Sequence, residues 1–193
     1  MHNFHKFDPS VLREYDIRGI INDTLTAKDA HAIGAIFGSA IKKNSGRSVA
    51  VGRDGRHSSL EIEKKLVEGL ISQGLKVFQI GLCPTPQLYF GVHHLGADGG
   101  IMITGSHNPP DYNGFKMMLG HGPFFGQDIK NMATTPYNPT RFIEGGEQIQ
   151  LDIQEPYLHR VLEGLNLSSK LSIVWDCGNG AAGPAIEKLS KSL

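Results

Sequence analysis

The sequence has little of what marks several protein classes. Only two cysteines occur in 193 residues, Cys83 and Cys177. They stand far apart and belong to no Cys-x-x-Cys pair or Cys/His cluster with zinc spacing, which argues against a disulfide framework and a structural zinc site and leaves them as buried or incidental thiols. No sign of charge is in excess, with 19 Lys and Arg against 19 Asp and Glu. Without a global field to draw in nucleic acid or an anionic membrane, any anion has to be held by local groups. No apolar run reaches membrane-spanning length, and Met1–Pro9 lacks the charged start and apolar stretch of a secretion signal. No nucleic-acid or membrane partner is expected, and the default compartment is the cytoplasm.

What is present describes a globular α/β chain: 39% hydrophobic residues, 20% charged residues and 24 glycines. The length allows one domain and part of another. Thr26 and Asp29 stand at capping-box spacing ahead of Ala30, Ile33, Phe37, Ala40 and Ile41, which recur at helical intervals up to Gly46. Residues 48–51 read as a buried strand running into Gly52-Arg53-Asp54-Gly55-Arg56. A second helix capped by Ser58 or Ser59 follows and stops at Gly74. Another strand over 76–80, a Pro84-Thr85-Pro86 entry into a third helix ending at Gly96, and a strand Ile101–Thr104 continue the alternation. Asn113-Gly114 reads as a turn into a further strand.

This pattern predicts a three-layer α/β/α domain with a mixed, mostly parallel sheet over residues 1–150, loop-rich after Leu119. Residues 151–193 read as the incomplete start of a second, similar domain, with a helix over 154–165, a strand over 171–175 and a helix running to the last residue. One strand and its helices cannot bury both faces of a sheet.

The strand Ile101–Thr104 ends at the serine loop Thr104-Gly105-Ser106-His107-Asn108-Pro109, where α/β sheets place their ligand crevices. A hydrolase elbow needs Gly-x-Ser-x-Gly, and Asn108 occupies the last position. His107 is adjacent to Ser106 and so points away from it in extended chain, which removes it as the base of a triad. No P-loop occurs. Alone, Ser106 and Asn108 could equally supply turn hydrogen bonds. The surrounding cations Arg18, Arg53, Arg56 and Lys116 change that balance, because arginine forks suit phosphate oxygens and a lysine can also move a proton. Each taken singly could be a solvated surface charge.

Tyr15-Asp16-Ile17-Arg18-Gly19, Gly52–Arg56, Thr104–Pro109, Asn113–Lys116 and Asp176-Cys177-Gly178-Asn179-Gly180-Ala181-Ala182-Gly183 resemble, in that order, landmarks of the bacterial phosphomannomutase/phosphoglucomutase branch of the α-D-phosphohexomutases. The resemblance covers almost the whole chain and implies exchange of phosphate between C6 and C1 of a hexose through a phosphoserine and a hexose 1,6-bisphosphate. It implies Ser106 as phosphoryl carrier, His107 and Asn108 as loop residues positioning phosphate and sugar, and Arg18 and Lys116 as phosphate contacts or proton-transfer assistants. Arg53 and Arg56 join the expected phosphate-binding set. A Mg²⁺ ion is implied too, touched by Ser106 through its phosphate, with aspartate ligands from domains beyond this chain. A hexose phosphate and those missing C-terminal domains are the expected partners, and the 193 residues alone are expected to be inactive. Two alternatives stay open: a free-standing, non-catalytic phosphosugar-binding module, and phosphoglucosamine mutase.

Overall fold

Among the described residues seven strands and six α-helices follow one another along the chain. The computed structural model describes residues 4–166 and 172–193. Strands β1 (Ile17–Ile20), β2 (Ser48–Arg53), β3 (Lys76–Leu82), β4 (Gly99–Ile103), β5 (Tyr112–Leu119), β6 (Gly122–Phe124) and β7 (Glu147–Gln150) alternate with helices α1 (Ala27–Lys43), α2 (Ser59–Ile71), α3 (Thr85–His94), α4 (Gln127–Asn131), α5 (Gln154–Leu162) and α6 (Gly183–Ser192). The strands form one sheet in the order β1-β5-β4-β2-β3-β7, with β6 paired to β5. Strand β2 runs parallel to β3 and β4, and β3 to β7, while β5 is antiparallel to β1, β4 and β6. One reversed strand, β5, therefore sits in an otherwise codirectional sheet, which is the mixed, mostly parallel architecture expected from the sequence.

Alternation along β2 sends Val49 and Val51 to one face and Ala50 to the other. On the first face Ile33 and Phe37 of α1 and Leu66 and Leu70 of α2 pack with Ile101 and Phe115 of the sheet. On the second, Leu88 and Val92 of α3 meet Met102 and Ile153. These are the three layers. The two helices of the first layer touch backbone to backbone: a Cβ at Gly34 would lie 2.2 Å from the Leu66 carbonyl oxygen, and one at Gly69 would lie 2.2 Å from that of His31.

Helix α1 begins with the capping box read from the sequence. Thr26 Oγ1 accepts from the Asp29 amide, and the Asp29 carboxylate accepts from the Thr26 amide. Lys42 and Lys43 occupy its last turn, where a positive charge suits the helix dipole. Helix α2 starts differently: Ser58 makes no side-chain cap bond, and the Ser59 hydroxyl turns instead to Asp54.

Two differences from the sequence reading have local causes. Strand β7 lies in the stretch expected to be loops; three of its four residues are polar, so no apolar alternation announces an edge strand held on one side by β3. The strand expected over 171–175 is not formed where it can be described. Leu171 lies outside the described residues, and Ser172–Trp175 is exposed with no sheet partner among the described residues, so its backbone groups lack the ladder that defines a strand.

The topology also fixes where a ligand fits. From central β2 the chain crosses to β3 through α2 on one face, then returns past β2 to β4 through α3 on the other. The connections leaving the C-terminal ends of β2 and β3 diverge to opposite faces, which opens a crevice there beside the end of β4.

Candidate functional site

At the ends of β2 and β4, Arg53 pairs with Ile103, and the loops that follow these residues face each other across the crevice. A cavity of about 600 Å³ opens there, lined by Asp54, Arg56, His57, Thr85, Ser106, His107 and Asn108, and on its far side by Gly178–Ala182. Ser106 is exposed and adopts φ 53°, the left-handed region that a residue with a Cβ enters at a cost on the order of 1 kcal/mol.

Local hydrogen bonds hold that turn. The Ser106 amide donates to Thr104 Oγ1 (2.8 Å), and both the Asn108 amide and its side-chain Nδ2 donate to the Gly105 carbonyl, each at 3.1 Å. Asp54 ties the loop to β2 by accepting from the Gly105 amide (2.9 Å), the Arg56 amide (3.1 Å) and the Ser59 hydroxyl (2.6 Å). Asn113 donates from Nδ2 to the hydroxyls of Ser58 (2.9 Å) and Ser59 (3.0 Å), joining β5 to the same cluster.

The cations divide into three groups. Arg56 lines the cavity and reaches over the serine loop, donating to the carbonyls of Ser106 (3.2 Å), Asn108 (2.6 Å), Pro109 and Tyr112 (3.0 Å). Arg18 is only 1% exposed, and such a charge needs compensation. Its guanidinium donates to the Thr104 carbonyl and to Asp16 Oδ2 (2.6 Å). Lys116 Nζ approaches the same Asp16 oxygen at 3.4 Å. Arg18 lies opposite Gly114 and Lys116 opposite Met102, a cavity-lining residue. Arg18 and Lys116 thus share the sheet face of the crevice and stand one row behind it. Arg53 belongs elsewhere: Nε donates to Glu63 Oε2 at 3.0 Å, beside a separate cavity of about 610 Å³ shared with Gln79. Burial raises the Glu63 carboxyl above the ordinary range, and the Arg53 charge acts against that.

Several lining residues had no assigned role in the sequence reading. His57 and Thr85 carry no motif of their own, and their contribution follows from the topology. Gly178–Ala182 belongs to a stretch noted only through the resemblance. Helices α2, α3 and α6 all begin at this crevice, and neither Pro84 before α3 nor Ala182 before α6 makes a side-chain cap bond. Their first-turn amides leave partial positive charge at the cavity, the arrangement that favours an anion. Cys83 lines the wall, and burial pushes its thiol up to about 12, so it is no nucleophile at neutral pH. Among the described residues no group of three or more His, Cys, Asp or Glu side chains could hold a metal ion, and no helix is long and apolar enough to cross a membrane.

Residues 10–141 match the profile of the family described as phosphoglucomutase/phosphomannomutase, alpha/beta/alpha domain I. The phosphomannomutase/phosphoglucomutase of Pseudomonas aeruginosa is 39% identical over 184 residues, covering 95% of this chain and 40% of that protein. The phosphoglucomutase of Neisseria meningitidis serogroup B is 40% identical over 187 residues, again covering 95% and 40%. A crystal structure of a phosphoglucomutase/phosphomannomutase family protein from Burkholderia thailandensis superposes with a TM-score of 0.86 at 38% identity, over 97% of this chain and 43% of that one. The chain thus spans about 40% of the length of the curated relatives it matches.

Proposed function

Because the chain belongs to the phosphoglucomutase/phosphomannomutase family, we propose that it is the N-terminal part of a phosphohexomutase in which Ser106 carries the transferred phosphoryl group. One observation supports this most directly: Ser106 is an exposed, left-handed loop serine at the switch-point crevice, faced by the starts of three helices. Helix starts stabilise negative charge, and phosphoryl transfer is mostly a matter of positioning and of stabilising negative charge.

In this reading the resting enzyme holds a phosphate ester on Ser106 Oγ. A hydroxyl of a hexose monophosphate attacks the phosphorus, an O–P bond forms to the sugar while the Oγ–P bond breaks, and the hydroxyl proton passes to a base as the departing Ser106 Oγ takes up a proton. The hexose 1,6-bisphosphate then reorients and returns its other phosphoryl group to Ser106, so one serine serves both halves. His107 and Asn108, beside Ser106 on the cavity wall, position phosphate and sugar. Lys116 and Arg18, joined through Asp16 behind the loop, assist proton transfer and charge balance. Arg53, at its separate cavity, does not enter the step.

The described residues do not by themselves fit a magnesium ion. In the proposed enzyme its carboxylate ligands come from domains beyond this chain, with Ser106 contributing through its phosphate. Residues 151–193 begin the second domain, the substrate is a mannose or glucose phosphate, and the reaction is cytoplasmic. Intact-mass measurement with phosphopeptide mapping of the full-length enzyme tests the assignment: one phosphate is expected on the peptide containing Ser106. Ser106→Ala should reduce mutase activity by on the order of 10³-fold or more, as loss of a covalent nucleophile does. Normal activity in that variant would remove Ser106 from the mechanism.

A further inference from the structure

We infer that Arg56 is the positioning residue of the serine loop and not a ligand of the phosphate. A guanidinium has five N–H groups and no acceptor. In Arg56 both terminal nitrogens are fully engaged by carbonyl oxygens, Nη1 with Pro109 and Tyr112, and Nη2 with Ser106 and Asn108. Nε faces Asp54 Oδ2 at 3.3 Å. The N–H groups of both terminal nitrogens are thus directed at loop carbonyls, and a phosphate could take one of them only by releasing part of the loop. The four carbonyls come from residues between 106 and 112, so the loop is wrapped around one planar cation.

Two further features belong to the same arrangement. Ser106 offers its carbonyl to Nη2 while its backbone is left-handed, so the unfavourable turn and the guanidinium contact are parts of one conformation. A Cβ at Gly105 would lie 2.1 Å from Arg56 Cζ, so the guanidinium occupies the space that any side chain at 105 would need. Asp54 closes the unit by accepting from the Gly105 amide while it faces Arg56 Nε. A lysine keeps the charge but not the fork: its ammonium has three donors and no plane with which to reach four carbonyls.

The inference uses the proposed function only for why Ser106 matters, and its first readout, hydrogen exchange of the loop, needs no turnover. Hydrogen exchange of the peptide covering 104–112 is compared in the full-length protein, Arg56→Lys and Arg56→Ala. Both variants are expected to exchange at Gly105 and Asn108 at least tenfold faster, while the core peptides of β2 and β4 keep their protection. Added methylguanidinium should restore part of the protection in Arg56→Ala, and Arg56→Lys should be as defective as Arg56→Ala in kcat. Wild-type loop protection in Arg56→Lys, with only KM for the hexose phosphate raised, would make Arg56 a charge contact to substrate and overturn the inference. If Arg56→Ala does not fold, Arg56→Lys decides alone, since it keeps the stem and the charge. Ser106→Ala separates the two readings: retained activity there overturns the phosphoserine and leaves the loop-exchange result standing.

Discussion

At Asp29 opposing effects act on one carboxyl. Burial raises it, but hydrogen bonds from His5 (2.6 Å) and from the Thr26 amide (2.7 Å) and hydroxyl (2.6 Å) outweigh burial and hold it below the ordinary carboxylate range. A carboxyl lowered by folding contributes stability that is present above its unfolded pKa, about 4, and lost as the pH falls through the lower folded value. Asp29→Asn should therefore cost about 1 kcal/mol at pH 7, and the gap to wild type should close below about pH 4; urea midpoints at the two pH values check this. The cysteines give a second residue-scale test. With its thiol pushed up to about 12 and buried, Cys83 should resist an aromatic disulfide reagent at pH 8, whereas half-exposed Cys177 should react; two fast equivalents would contradict the burial. The capping pair was legible in the sequence because its partners lie three residues apart. The four carbonyl contacts of the Arg56 terminal nitrogens were not, because their acceptors lie about fifty residues away and are backbone atoms of any residue type.

Between elements α1 and α2 cross backbone to backbone, where Gly34 and Gly69 let each approach the other. Gly69→Ala puts a methyl where the His31 carbonyl now lies and should destabilise by ~1–3 kcal/mol, read as a lower thermal midpoint; an unchanged midpoint would mean that the helices can part at no cost. Helical periodicity showed α1 and α2 in the sequence, but not that two of their glycines meet. The apolar runs of β2 and β4 were equally visible, because strands covered on both faces are apolar throughout. Strands β1, β6 and β7 were not: they are three or four residues long, and pairing rather than pattern makes them strands.

For the whole molecule, the place of the site was legible to the extent that it follows from topology, since Ser106 ends a central strand. The far wall at Gly178–Ala182 was not, because its position depends on how the last helix packs against the rest. Trp175, the only tryptophan, lies 44% exposed in a segment with no sheet partner among the described residues. Its fluorescence in the 193-residue chain should be readily quenched by acrylamide, and quenching should fall in the longer enzyme if a second domain takes up Ser172–Trp175. Equal quenching in both would count against that domain division. The reversal of β5 also bears on the order of assembly. With β4 and β5 adjacent and antiparallel, the stretch Thr104–Asp111 is a hairpin connection whose closure costs little chain entropy. The loop that presents Ser106 can thus form early from neighbouring strands, while Asp54 and Arg56 reach it only after a far longer segment has closed. In folding terms, shaping the serine loop is local and locking it is global, so the site can reach its final form only when the domain does.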